Sequence, residues 1–200
     1  MAEIRSTMDM VMERAAKMAA RTPDAGQDET FFHAGMRAGA SFLRGEEISL
    51  ETASQEVPPE GRLPFKKGLI NTFMRHLVLP RQKEQISEGA LRGLLEMGNS
   101  LPASANLAEL LAEMRSILSR YVEHRQQLKT QLEEQFSSQM AMLEQNLAQK
   151  TGVSMKMSPA QHPRFAEEWQ KLLTSLNDQY ENALSQYKDA ISQQLLAPQA

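Results

Sequence analysis

The sequence predicts an all-α protein, in which an N-terminal bundle of short helices is followed by a long antiparallel helical hairpin of the coiled-coil type. Three observations predict this class. Apolar residues recur at three- and four-residue spacing along most of the chain. The abundant residues Gln, Glu, Ala, Leu and Met lose little conformational entropy in a helix. Finally, residues 104–150 contain neither proline nor glycine, which is typical of one continuous helix.

Four helices are predicted in the N-terminal base, residues 1–100. Each combines an apolar face with start or stop signals, such as Ser6 before the first helix and Gly45 after the second. Consecutive prolines at 58 and 59 interrupt the base, and Pro80 ends or kinks its third helix. The four helices are expected at about 6–20, 29–44, 64–79 and 82–97, and the short segment 46–56 is also compatible with a helix.

Small residues line one face of the second predicted helix. Gly35 and Gly39 lie four residues apart on that face. In a lipid bilayer this spacing favours helix dimerisation, but Arg37 and Arg44 lie in the same segment. We therefore expect another helix to pack closely against the glycine face.

The C-terminal region, residues 104–196, is predicted to form the hairpin from helices at about 104–150 and 163–196. The apolar seam of the first helix begins at Leu107 and follows the alternating four- and three-residue steps of a heptad repeat. Two long helices joined by a connector of this length most simply fold back on each other.

Pairing outward from the connector predicts the register of the hairpin. In this register the numbers of facing residues sum to about 312. Leu143 then approaches Trp169, and Arg125 approaches Tyr187. The guanidinium of Arg125 is expected to lie over the ring of that tyrosine.

Charge is unevenly distributed, although the formal net charge is only −3. Residues 24–60 carry eight acidic and two basic side chains, whereas residues 62–92 carry seven basic and two acidic ones. The first interpretation is that these two segments pair with each other. The alternative is that the basic segment contacts an acidic partner or a phosphate. The small net charge gives the molecule no field that would attract nucleic acid.

The sequence contains no legible active site, so we expect a protein that is not an enzyme and holds no cofactor or metal. Because it has no cysteine, disulfides, thiol catalysis and thiolate metal sites are excluded. Its four histidines are dispersed, and only Glu29 and His33 form a Glu–His pair at i,i+4 spacing. Ser185 and Lys188 match a motif of penicillin-recognising serine enzymes, but the companion Lys-Thr-Gly precedes them and lies at the end of a predicted helix.

Seven residues are candidates for binding a protein partner. Four are methionines, whose flexible side chains adapt either to an irregular core, which is the first interpretation, or to a binding surface. The other three belong to the basic segment. The candidates are Met8, Met12, Met155, Met157, Lys66, Lys67 and Arg75.

No segment has the features of a secretory signal or a membrane anchor. The first five residues lack a basic region followed by an apolar core, and acidic Glu3, Asp9 and Glu13 are unlike a transit peptide. No run approaches the roughly 18 apolar residues that span a bilayer. We therefore expect a cytoplasmic protein without a membrane span.

The opening of the chain, from Glu3 to Arg14, resembles the N-terminal signature of a family of small helical bacterial proteins of unknown function. That signature reads Glu-Ile-[Lys/Arg]-Ser-Thr-Leu-[Asp/Glu]-Leu-x-[Met/Leu]-Glu-[Lys/Arg], and this chain has methionine in place of leucine at Met8 and Met10. The resemblance covers about a dozen residues. It implies a cytoplasmic bacterial helical protein, and it does not imply any activity because none is known for the family.

The expected function is that of a non-enzymatic adaptor or scaffold that binds a protein partner, with self-association as an open possibility. Two other classes stay open. One is a secretion-type chaperone or stalk-like subunit of a larger machine, whose first helix or Met155 and Met157 would bind a client. The other is a helical-bundle ligand carrier or enzyme, which requires buried polar side chains to converge in the base. Its candidates are Glu29, His33, Arg37 and His76.

Overall fold

The computed structural model describes residues 25–99, 104–151 and 163–197, with the backbone alone at 25, 143–151 and 163. Within these ranges the chain forms six α-helices and no strand, which confirms the all-α class. The predicted helix at 6–20 lies outside the described residues. The six helices are α1 Ala25–Leu43, α2 Leu50–Gln55, α3 Arg62–His76, α4 Glu88–Gly98, α5 Ser104–Thr151 and α6 Pro163–Leu196, with 3₁₀ turns at Pro59–Gly61 and Lys83–Gln85.

The chain divides into two compact units, and the boundary falls inside α3, between Phe73 and Met74. The sequence suggested a division near residues 100–104, after four base helices. The first unit is built on α1, α2 and most of α3. The second contains α4, α5 and α6, and each unit is described by itself below.

In the first unit, glycines bring α1 and α3 into close backbone contact. A side chain at Gly35 would collide with the carbonyl oxygen of Phe65, and one at Gly68 would collide with that of Phe32. The Thr72 hydroxyl of α3 also lies 3.3 Å from the carbonyl oxygen of Met36 in α1. The prediction that another helix packs closely against the glycine face of α1 is confirmed, and that helix is α3.

Local capping explains where α1 ends and α2 begins. Gly45 follows α1 as predicted and adopts a φ of 81°, in the left-handed region that favours glycine. Its N–H donates to the carbonyl oxygen of Phe42 at 3.0 Å. The hydroxyl oxygen of Ser49 then accepts a hydrogen bond from the N–H of Thr52, 3.2 Å away, which caps the start of α2.

Helix α3 is displaced from its predicted bounds of 64–79. It begins at Arg62 because the 3₁₀ turn Pro59–Gly61 leads directly into it. It ends at His76 rather than at Leu79, since the residue before a proline is disfavoured in helical conformation. The predicted inward positions are buried, namely Leu69, Ile70, Phe73 and Leu77.

The helix predicted at 82–97 is wrong in its first six residues. Residues 83–85 form a 3₁₀ turn, after which Ile86 has extended backbone with ψ of 123°. The Ser87 hydroxyl accepts from the N–H of Ala90, so Ser87 caps a helix that starts only at Glu88. Ser87 could have indicated in the sequence that the helix begins after it, because serine competes for backbone hydrogen bonds and favours N-cap positions.

In the second unit, α5 and α6 pack side by side in antiparallel orientation, as predicted. The pairs Asn106–Gln194, Tyr121–Asn177 and His124–Tyr180 are in hydrogen-bond contact. Their residue numbers sum to 300, 298 and 304. The heptad positions of α5 that were predicted to face the seam are buried at Leu107, Leu111, Met114, Leu118, Tyr121 and Leu132.

The predicted register of the hairpin, with sums near 312, is therefore wrong by about three helical turns of one helix against the other. The prediction assumed that pairing starts at the apolar residues next to the connector. Instead, the ring of Phe165 packs edge-on against Phe136, with 5.5 Å between ring centroids. Leu132 and Trp169 join these two rings in one apolar cluster. This cluster fixes where α6 begins to pair with α5.

Candidate interaction groove

The structure places three of the seven predicted partner-binding residues, all on α3. Lys67 and Arg75 are exposed, whereas Lys66, about 100° around the helix from Lys67, is half-buried. Burial lowers the pKa of the Lys66 ammonium below its usual value. The other four candidates, Met8, Met12, Met155 and Met157, lie outside the described residues.

The second unit has an open groove beside α5. One side is the wall segment, residues 81–84, which contains most of the 3₁₀ turn between α3 and α4. The floor is the outward face of α5 between Val122 and Glu134. This α5 groove has a volume of about 850 Å³ and is lined by Arg81, Gln82, Lys83, Glu84, Val122, Glu123, Gln126, Gln127, Thr130, Gln131 and Glu134.

The seam on the opposite side of α5 explains why these residues face outward. Tyr121 is 4% exposed, and its hydroxyl donates to Asn177 of α6 at 2.8 Å. Since successive helical residues are separated by about 100°, burying Tyr121 against α6 turns Val122 and Glu123 away from the seam. The four-residue repeat then carries the same outward face along α5 to Gln126 and Thr130.

The wall segment is attached to α5 by two polar contacts. The Lys83 ammonium forms an ion pair with Glu123 at 2.6 Å. The Arg125 guanidinium donates to the carbonyl oxygen of Arg81 at 3.5 Å. Within the wall, the N–H of Arg81 donates to the side-chain oxygen of Gln85 at 2.8 Å. These contacts hold the wall segment against α5, so that it forms one side of the groove.

The ion pair affects the titration of the groove. A hydrogen bond from Lys83, followed by its positive charge, lowers the pKa of the Glu123 carboxyl below 4.5. Both partners are about half exposed, 52% for Lys83 and 54% for Glu123. Solvent therefore screens their attraction, and the pair positions the wall more than it stabilises the fold.

Glutamine dominates the chemistry of the lining. Four of the eleven lining residues, Gln82, Gln126, Gln127 and Gln131, carry a primary amide. Each such amide offers both donors and an acceptor. Val122 is the single aliphatic side chain among the lining residues. These amides can donate and accept hydrogen bonds, while the methylene groups of the long polar side chains give the lining an apolar surface as well.

The charged side chains outside the groove also pair within the second unit. Arg115 on α5 forms an ion pair with Glu88 at 2.8 Å. Lys83, one of the seven basic residues of segment 62–92, pairs with α5 rather than with the acidic segment 24–60. In the first unit, Arg62, another of these basic residues, does reach segment 24–60, where it donates to the carbonyl oxygen of Val57 at 3.2 Å.

The aromatic partner predicted for Arg125 is also different. Its guanidinium lies over the ring of Trp169, 5.8 Å from the ring centroid. Tyr187, the predicted partner, instead donates a hydrogen bond to the Glu113 carboxylate. Both differences follow from the shifted register of α5 and α6.

The four candidates for a buried polar site in the base do not form one. Glu29 and His33 contact each other at 3.6 Å on the surface of α1, with exposures of 72% and 53%. Arg37 and His76 are exposed as well. Over the described ranges, no three His, Asp or Glu side chains are grouped so that they could hold a metal ion.

Among residues 25–99, 104–151 and 163–197, no helix is both long enough and apolar enough to cross a membrane.

Sequence analysis missed the α5 groove because its two sides come from distant parts of the chain. The Lys83–Glu123 ion pair that joins them spans 40 residues. One partial signal was present: the outward positions of α5 from Glu123 to Glu134 are almost entirely glutamine, threonine and acid. A helical face of this kind is usually interpreted as a solvated surface, and nothing in its spacing predicts a wall beside it.

Comparison with known proteins identifies a family whose model covers most of the chain. The model of a protein family, described as "Family of unknown function (DUF6657)", matches residues 51–193. No curated protein and no solved structure matches the chain. The matched range contains the wall segment and the whole floor of the α5 groove.

Proposed function

Because this chain belongs to DUF6657, a family of unknown function, we propose its function from its own structure: it is a non-enzymatic adaptor or scaffold that binds a protein partner in the α5 groove. The groove, with its fixed wall and hydrogen-bonding lining, is the observation that carries this proposal. The adaptor acts in the bacterial cytoplasm, as the sequence suggests. Its long helices, including the coiled-coil hairpin, serve as the rigid support for the site.

A macromolecular partner suits this site better than a small molecule. Sites for small molecules are mostly enclosed and apolar, and they bury most of the ligand surface. The α5 groove is instead open along its length and lined mainly by amide and charged groups. Such a surface resembles the polar part of a protein–protein interface, where direct hydrogen bonds and bridging waters are common.

Site-specific photo-cross-linking in the native host tests the proposal. A photoreactive amino acid replaces Gln127 in the groove, and a matched chain carries it at Gln193, which is also exposed but lies on α6. We expect one recurrent protein to be cross-linked from position 127 and not from position 193. Mass spectrometry identifies the captured protein and the cross-linked residue.

The opposite results would contradict the proposal. Equal capture from both positions would show that the partner does not bind the groove in preference to the control surface on α6. If position 127 yields no protein adduct while the chain is folded and expressed at its normal level, the groove is not a partner site. Self-links alone would assign the chain to a self-contained scaffold.

A further inference from the structure

We infer that Arg125 couples the wall segment to the beginning of α6, so that displacing the wall segment changes the packing of Trp169 and removing Trp169 loosens the wall segment. The guanidinium of Arg125 contacts both elements, because it donates to the carbonyl oxygen of Arg81 and lies over the ring of Trp169. This coupling goes beyond the proposed function. It concerns contacts within the chain and holds whether or not the groove binds a partner.

The position of Arg125 on α5 explains why one side chain reaches two elements. It follows the buried Tyr121 by four residues, so the two lie next to each other along the seam. Arg125 is half-buried, whereas Gln126 and Gln127 after it are exposed. An arginine can bury its methylene groups in the seam while its guanidinium stays at the edge, where a neighbouring element can accept a hydrogen bond from it.

The charges around Tyr121 are a second indication that the wall segment reaches the edge of the seam. Burial raises the pKa of the Tyr121 hydroxyl, and the positive charges of Arg125 and Arg81 both oppose this rise. The side chain of Arg81 therefore lies close enough to act on a hydroxyl that is itself hydrogen-bonded to Asn177 of α6.

On the α6 side, Trp169 restricts the orientation of the guanidinium. The Arg125 guanidinium carbon lies 5.8 Å from the centroid of the Trp169 ring. Trp169 in turn packs against the buried cluster that includes Phe136 and Phe165. Because a guanidinium is planar and has its donors in a fixed fork, its position over the ring also sets the direction in which those donors point.

On the wall side, the contact with Arg125 is long and depends on other contacts of the same segment. The hydrogen bond to the Arg81 carbonyl oxygen is 3.5 Å, so it contributes little by itself. The ion pair between Lys83 and Glu123, at 2.6 Å, anchors the same segment to α5. A bond of this length is lost after a small displacement, so we expect it to break when the ion pair is removed.

Sharing one side chain makes the two contacts interdependent. Residues that share a partner show non-additive effects when they are altered, whereas separate surface contacts usually add. The guanidinium satisfies both neighbours only while both are in place. A coupling of this kind is reciprocal, so it must be detectable from the wall segment and from α6.

NMR of the full-length chain tests the coupling from the wall segment. Trp169 is the single tryptophan, so it gives one indole N–H signal. Lys83→Met removes the anchor of the wall segment, and Arg125→Met defines the signal without the guanidinium. The matched control Arg115→Met breaks a similarly exposed ion pair between α5 and α4, the one with Glu88 at 2.8 Å. Circular dichroism and thermal unfolding establish that all variants are folded.

We expect the indole signal of Lys83→Met to move part of the way from its position in the parent chain towards its position in Arg125→Met. The signal of Arg115→Met should stay at the parent position. Combining Lys83→Met with Arg125→Met should give no shift beyond that of Arg125→Met alone, because the connecting side chain is then already absent.

Amide hydrogen exchange tests the coupling from α6. The N–H groups of Gln85 and Ile86 donate to the carbonyl oxygens of Gln82 and Lys83, each at 3.1 Å, and so report on the 3₁₀ turn of the wall. We expect Trp169→Leu to accelerate exchange of these two amides at least about threefold, a modest coupling for residues in contact. The same substitution in an Arg125→Met chain should have no further effect.

Three results would overturn the coupling. An unmoved indole signal in Arg125→Met would show that the guanidinium does not lie over Trp169. A signal that is unmoved in Lys83→Met, or equally moved in Arg115→Met, would show that the wall segment does not act on α6. Acceleration by Trp169→Leu that persists in the Arg125→Met chain would come from general loosening of α6. All three leave the proposed adaptor function to be decided by cross-linking from position 127.

Discussion

Glycine positions in the first unit illustrate how single residues determine the packing of helices. Gly35 and Gly68 lie where α1 and α3 approach each other, and each faces a main-chain carbonyl of the other helix. A carbonyl oxygen belongs to the backbone and cannot move aside as a flexible side chain can. Gly26, also in α1, has no such neighbour, since a side chain there would meet nothing within 4 Å.

We therefore predict that Gly35→Ala lowers the free energy of unfolding by about 1–3 kcal/mol, because the added methyl group forces α1 and α3 apart. Gly26→Ala should instead raise it by about 0.4–1 kcal/mol, because alanine reduces the conformational entropy of the unfolded chain. Urea denaturation followed by circular dichroism measures both. Equal effects of the two substitutions would contradict the close contact at Gly35.

The ionisation of Glu123 makes the contact between the wall segment and α5 depend on pH. Its pKa is lowered first by the hydrogen bond from Lys83 and then by the positive charge of that lysine. A carboxyl whose pKa is lower in the folded chain contributes stability above its unfolded pKa, and this contribution is lost as the pH falls through the folded pKa. The ion pair should therefore hold the wall segment at neutral pH and release it as the pH falls through the lowered pKa of Glu123.

We predict that Lys83→Met raises the pKa of Glu123 towards its ordinary value of 4.5. The control Lys171→Met removes a lysine that pairs with Glu168 at 2.9 Å and should leave Glu123 unchanged. A carbon-detected NMR titration of the Glu123 carboxyl measures the shift. An unaltered pKa in Lys83→Met would mean that the wall segment does not pair with α5 in solution.

At the scale of the helix, periodicity predicted most of α5 and α6 but not how they align. Apolar residues recur every three or four positions on both helices, so sliding one helix by about three turns still brings apolar side chains together. The observed alignment depends on particular contacts, above all Phe136 with Phe165 and Tyr121 with Asn177. These contacts distinguish one register from another, and their partners have no fixed spacing in the sequence.

Two pairs of introduced cysteines distinguish the observed register from the one predicted by pairing outward from the connector. In the observed register, Glu113→Cys and Tyr187→Cys lie side by side, because the native side chains are hydrogen-bonded. Arg125→Cys with Tyr187→Cys tests the other register, and these two positions should be about 18 Å further apart along the helices. We predict that a short bismaleimide links the first pair and not the second, as measured by peptide mapping.

The chain has no cysteine of its own, so every link in that experiment reports on the introduced pair. Preferential linking of the second pair would support the register predicted from the sequence, in which the numbers of facing residues sum to about 312. It would also remove the stacking of Arg125 on Trp169 as an explanation for an arginine at a seam position.

At the scale of the whole molecule, the sequence predicted the class of fold, the glycine contact and the buried seam, because each leaves a local pattern. It did not predict that the two compact units divide inside α3, or that a groove lies beside α5. The groove depends on residues 81–84, which periodicity assigned to a helix. Because Ser87 caps a helix that begins at Glu88, residues 81–84 are not helical and form the wall segment.

The glutamine-lined floor has a consequence for how this protein would choose its partners. Hydrogen bonds to peptide groups are available in every sequence, so they discriminate little between one partner and another. They do discriminate between a segment that is already folded and one that is not, because only the latter offers unsatisfied backbone groups. Under the proposed adaptor function, these amides would favour a segment whose backbone groups are unpaired over one that is already folded, and the affinity would be modest because such a segment must become ordered when it binds.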